Sequence, residues 1–82
     1  FDCSLVQSIA EQGADIMHCA TMLFLGMVDD ATTFAETRGG GGSKSDLKWG
    51  RDEDEDNRAW ALRCMRMASR MMRPAIGKKP KR

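Results

Sequence analysis

The sequence predicts an all-α fold: a helical hairpin or small bundle of two to three helices, completed by self-association into a four-helix-type bundle. Three observations predict it. Ala, Met, Leu, Arg and Glu, all favourable in helices, are frequent, while β-branched residues are few. Apolar residues recur in steps of three and four. Charge is distributed as a helix dipole prefers it, with acids before and arginines at the end of the second apolar segment.

At 82 residues the chain is large enough for one small domain, and its core is marginal without help. A hydrophobic content of 41% and a charged content of 30% suit a folded chain and not a disordered one.

Residues 1–38 read as an acidic, hydrophobic helical segment. Ser4, with Gln7 three residues on, reads as an N-cap with a capping box. Val6, Ile9, Gly13, Ile16, Ala20, Leu23, Met27 and Phe34 then form a stripe, which Leu5, Met17, Phe24, Val28 and Ala31 widen. Gly13 and Gly26 each cost roughly 1 kcal/mol relative to Ala inside a helix. Each reads as either a break or a point of close backbone approach. Residues 4–37 are expected to be one long helix, or two with a bend near 27–31 and Asp30 as the second N-cap.

Residues 39–50 read as a flexible Gly/Ser connection. Its "GGGGS" is the unit of flexible engineered linkers and behaves as a random coil. The same place marks a charge boundary. Residues 1–38 carry six acids and one base, a net of −5; residues 44–82 carry twelve bases and six acids, a net of +6. Together with the change in apolar pattern, this reads as an engineered tether between two interacting segments, whose opposite charges favour docking. Trp49 is expected to fold over one end of the pair. A chain starting at Phe1 reads as a fragment.

Residues 51–74 read as a basic amphipathic helix running from 52 to 73. Asp52 is the expected N-cap, with Glu55 three residues on, and Pro74 the expected stop. Trp60, Ala61, Cys64, Met65, Met67, Ala68, Met71 and Met72 fill one broad face, and Arg63, Arg66, Arg70 and Arg73 cluster on another. Residues 75–82 read as a basic, unstructured tail.

Protein–protein assembly follows as the expected function. The anchors are Ile9, Ile16, Ala20, Leu23, Phe24 and Met27 from one segment and Trp60, Leu62, Cys64, Met67, Met71 and Met72 from the other, with Trp60 foremost. The expected partners are segment 44–82 for segment 1–38, and a second copy of the chain. One alternative is a nucleic-acid- or chromatin-associated adaptor, whose phosphate contacts are Arg63, Arg66, Arg70, Arg73, Lys78, Lys79, Lys81 and Arg82. Against it stand the "DEDED" run and the lack of aromatic residues among the arginines. Another is a viral structural or assembly fragment, which the basic tail beside an oligomerising core would suit.

Other classes find less support. Cys3, Cys19 and Cys64 are an odd number with no Cys-x-x-Cys spacing, so neither a disulfide framework nor zinc is expected. The expected setting is intracellular, with "KKPKR" resembling a short nuclear-localisation signal. No pocket-forming pattern supports catalysis, and no cofactor is expected. The Met22–Val28 run is too short to span a bilayer, and its acidic flanks disfavour an interfacial helix, so no membrane partner is expected.

Overall fold

The structure is a computed structural model that describes residues 3–40 and 48–76. Its described residues are helical or irregular, with three helices: α1 over Cys3–Phe24, α2 over Val28–Ala35 and α3 over Asn57–Ile76. The all-α expectation holds.

The first segment is two helices, and the two glycines divide the roles expected of them. Gly26 makes the break. It has φ +83°, a left-handed conformation in which glycine carries no Cβ penalty. The Gly26 N–H donates to the Leu23 carbonyl (3.1 Å) and the Met27 N–H to the Met22 carbonyl (2.8 Å). That bond pair is a Schellman turn, and it satisfies two carbonyls the helix end would leave open. The break falls at residues 25–27, slightly before the expected bend. α2 therefore starts at Val28, with Met27 at its N-cap position and no side-chain cap. Asp30 lies inside the first turn, where it and Asp29 face the positive helix end. α2 closes in a wider π-type turn over Glu36–Gly40.

Gly13 makes the close approach. A Cβ on it would lie 2.7 Å from Met72 Cγ and 3.3 Å from both the Ala68 carbonyl oxygen and Met71 Cβ. α1 and α3 thus meet nearly backbone to backbone. Further along, Cys19 of α1 lies against Cys64 of α3. As numbers rise on one helix they fall on the other, so the two run antiparallel, as a short connection allows.

The core is Ile16, Cys19, Ala20 and Met22 from α1, Ala31 and Ala35 from α2, Trp49, and Trp60, Cys64 and Ala68 from α3. Small residues at the crossings let the backbones close in, and two indoles fill the wider space near the connection. No buried polar or charged side chain lies among the described residues.

Three helix ends differ from expectation. α1 begins at Cys3, which puts Ser4 within its first turn, and Gln7 Nε2 reaches forward to Glu11 (3.4 Å) and not back to a cap. α3 begins at Asn57. Asp56, not Asp52, is its N-cap: the Asp56 carboxylate accepts the Ala59 N–H at 2.8 Å. Asp52 and Glu55 instead form a separate turn, closed by the Glu55 N–H on the Asp52 carbonyl and the Asp52 N–H on Glu55 Oε1, both 3.1 Å. α3 also continues through Pro74 to Ile76. Proline forfeits one bond, to the Arg70 carbonyl, beside the last carbonyls that any helix end leaves unpaired.

Candidate functional site

The contact between the two segments is where most of the expected anchors gather. Ile16, Ala20, Trp60 and Cys64 are at most 1% exposed, and Leu23, Met67, Met71 and Met72 pack around them. Ile9 and Leu62 are half-buried at its margin. Phe24 and Met27 are a correction. They are 56% and 42% exposed, with Leu25 at 70%: Phe24 is the last residue of α1, and Met27 follows the Gly26 turn, where the helical period has ended. Met22, Cys19, Ala31, Ala35, Ala68 and Trp49 join the core beyond the expected set. Ala31 and Ala35 carry a readable signal, since they lie four apart and so share one face of the short helix α2.

Trp49 binds the connection to both segments. Its ring tilts against Phe34 of α2 (centroids 6.0 Å apart), and its carbonyl accepts the Trp60 indole N–H at 2.9 Å. A tryptophan seldom buries its N–H without such a partner. Of the connection expected over 39–50, residues 41–47 lie outside the described residues. Gly39 and Trp49 are buried.

Arg63 is not a free phosphate contact. Its guanidinium donates twice to Glu55, from Nε to Oε2 and from Nη2 to Oε1, both at 2.8 Å, and once to the Gly50 carbonyl at 2.6 Å. Arg51 adds a bond to the Glu55 carbonyl at 2.6 Å. This fork of planar charge-assisted bonds fixes the returning chain to the side of α3. Arg63 holds the Glu55 carboxyl below the usual carboxylate range, mainly through these hydrogen bonds, against the opposing effect of burial.

The remaining arginines behave differently. Arg58, Arg66, Arg70 and Arg73 are exposed and form no ion pair or side-chain hydrogen bond with another described residue. At 100° per residue they occupy one arc of about 120°, opposite the buried Trp60, Cys64 and Ala68. Lys78, Lys79, Lys81 and Arg82, and the localisation-like run they form, lie outside the described residues.

Both ion pairs among the described residues sit within one segment, Arg38–Asp15 (3.5 Å) in the first and Arg63–Glu55 in the second. Arg38 also lies 5.1 Å over the Phe34 ring. Among the described residues no ion pair joins the two segments, and the side chains that meet there are apolar.

The thiols are two small apolar side chains in a core. Cys19 and Cys64 are wholly buried and free, and Cys19 points to the Ala31 carbonyl at 3.6 Å. Contact with the Cys64 thiol, and then burial, raise the Cys19 thiol far above the ordinary cysteine range, while the same contact lowers Cys64. His18 turns its ring edge-on to Phe34 at 4.9 Å. No group of three His, Cys, Asp or Glu side chains among the described residues is placed to hold a metal. No described helix is long and apolar enough to cross a membrane.

No protein-family model, curated protein or solved structure matches the chain.

Proposed function

We propose that the protein is a protein–protein assembly module whose working element is the contact between its two segments. The observation that supports this is the continuous core shared across the glycine run. Gly13, Ile16, Cys19 and Ala20 meet Trp60, Cys64, Ala68 and Met72 without one buried polar side chain. Such a surface, closely fitted and apolar, is what an obligate helical partnership requires. The tether between the segments raises the effective concentration of one for the other to roughly millimolar.

Self-association is the second part of the proposal. A lateral four-helix bundle would need an open apolar side, but α2 and Trp49 already cover much of α1. The large apolar side chains left exposed among the described residues are Phe24, Leu25 and Met27, at the α1–α2 turn. Copies would meet there, end to end.

The test uses residues 1–38 and 44–82 as separate peptides. On mixing, helicity by circular dichroism should rise well above the sum of the parts, and light scattering after size exclusion should show a defined complex. Two peptides that keep their separate spectra would remove the proposal.

A further inference from the structure

We infer that the exposed arginine row of α3 is a second, independent binding surface, made for the phosphodiester backbone of double-stranded nucleic acid. Four observations carry the inference.

First, the face has one sign. α3 holds five arginines over Asn57–Ile76 and no Asp or Glu. A face serving only solvation mixes both signs. The helix dipole accounts for cations in the last turn alone, which covers Arg73 but not Arg58, Arg66 or Arg70.

Second, the row is left available. Arg63, which the sequence groups with it, is drawn aside by Glu55 and Gly50. Arg58 takes its place on the solvent arc. From Arg58 to Arg73 the row runs about 22 Å along the helix axis at 1.5 Å per residue. Lys78, Lys79, Lys81 and Arg82 follow within nine residues of its end.

Third, the acids that argue against nucleic acid in the sequence flank Arg58 but lie away from Arg66, Arg70 and Arg73. The run 52–56 precedes the helix, so it lies at the end of α3 opposite to Arg66, Arg70 and Arg73. Glu55 is neutralised by Arg63, and Asp56 is engaged with the Ala59 N–H. The distance from the centre of that run to Arg70, roughly 20 Å or more along the chain axis, exceeds the Debye length of about 8 Å at physiological salt.

Fourth, the face suits phosphates better than other anionic partners. Ala59, Ser69 and the half-buried Leu62 lie among the arginines, and among the described residues no large apolar side chain is exposed there to form the dry centre of a protein contact. An anionic bilayer would engage the apolar face of a basic helix, but that face is the core here. Single strands call for aromatic stacking platforms, which the arc lacks, so a duplex is the fitting form. Contacts confined to the phosphate backbone carry no sequence information, so binding should be largely independent of sequence.

The test is fluorescence anisotropy of the full chain with a labelled 20-base-pair DNA duplex, titrated at several salt concentrations. Four phosphate contacts, one for each arginine of the row, would give a slope of log K against log salt of about −3 to −4. Arg66→Gln/Arg70→Gln/Arg73→Gln should weaken binding at least tenfold at about 50 mM salt and make the slope shallower by roughly 2 to 3. These positions are exposed, so the far-ultraviolet spectrum and urea midpoint should stay at parental values. Lys48→Gln, a cation off the row, should bind as the parent does. No binding at about 20 mM salt overturns the inference. So does a triple variant that binds normally, an equal loss with Lys48→Gln, tighter binding to a single strand, or comparable binding to vesicles containing an anionic phospholipid.

Discussion

Two glycines in one segment do opposite work, and substitution separates them. At Gly13 the obstacle is a neighbouring helix. Alanine there would gain up to about 1 kcal/mol of helix propensity but must displace Met72 and crowd the Ala68 carbonyl, an overpacking that costs about 1–3 kcal/mol. The expected net is a loss of about 1 kcal/mol for Gly13→Ala and clearly more for Gly13→Val. At Gly26 nothing lies within 4 Å of a built Cβ, and the obstacle is φ +83°. Gly26→Ala should cost about 1–2 kcal/mol, and Gly26→Asn less, because Asn tolerates the left-handed region. Urea midpoints of the four variants check this; an Asn as harmful as Ala at 26 would rule out the backbone explanation. Glu55 offers a test in pH. Its carboxyl is shifted down in the fold, so its stabilising effect is complete above its unfolded pKa, near 4.3, and is lost as pH falls through the lower folded value. Glu55→Gln should destabilise by about 1–2 kcal/mol at pH 7, and the gap to the parent should close on acidification below pH 4. A gap unchanged at pH 3 would show that charge is not the reason.

At the scale of elements, the apolar period made helices visible while their ends stayed obscure. The stripe through Gly13, Ile16, Ala20 and Leu23 and the face through Trp60, Cys64 and Ala68 are long, regular signals that describe burial directly. Helix ends depend on which of several competent residues takes the cap, and five consecutive acids offer five choices. Asp56 wins because Arg63 captures Glu55 and folds residues 52–55 into a turn of their own. That capture comes from a residue eight positions away, beyond the reach of a local capping rule. The same pairing removes Arg63 from the row to which period alone assigns it. Asp56→Ala should therefore lower stability by about 1 kcal/mol, the usual value of an N-cap. Asp52→Ala should change it by less than about 0.5 kcal/mol, since Asp52 contributes backbone groups to its turn. Thermal melts followed by circular dichroism would distinguish the two, and equal losses would return the cap to the sequence-based position.

For the whole molecule, the division into an acidic and a basic half is plain in the sequence, yet it misleads about what joins them. Net charges of −5 and +6 invite an electrostatic docking, but the side chains at the crossing are Ile, Ala, Cys, Met, Trp and Gly. The charges face outward, with the exposed arginines of the Arg66–Arg73 stretch directed away from α1 and both ion pairs among the described residues internal to one half. Sequence shows how much charge each half carries; only the fold shows which way it points. Folding and anion binding should then respond to salt in different ways. Burial of apolar surface is little affected by screening, and exposed charges at separations beyond about 8–10 Å are already screened at physiological strength. The unfolding free energy should change by less than about 1 kcal/mol between roughly 20 and 500 mM sodium chloride. If the fold lost several kcal/mol over that range, attraction between the halves would have to carry part of the core's role, and the arginine row would be committed inside the molecule. A flat response leaves the row free for a partner outside it.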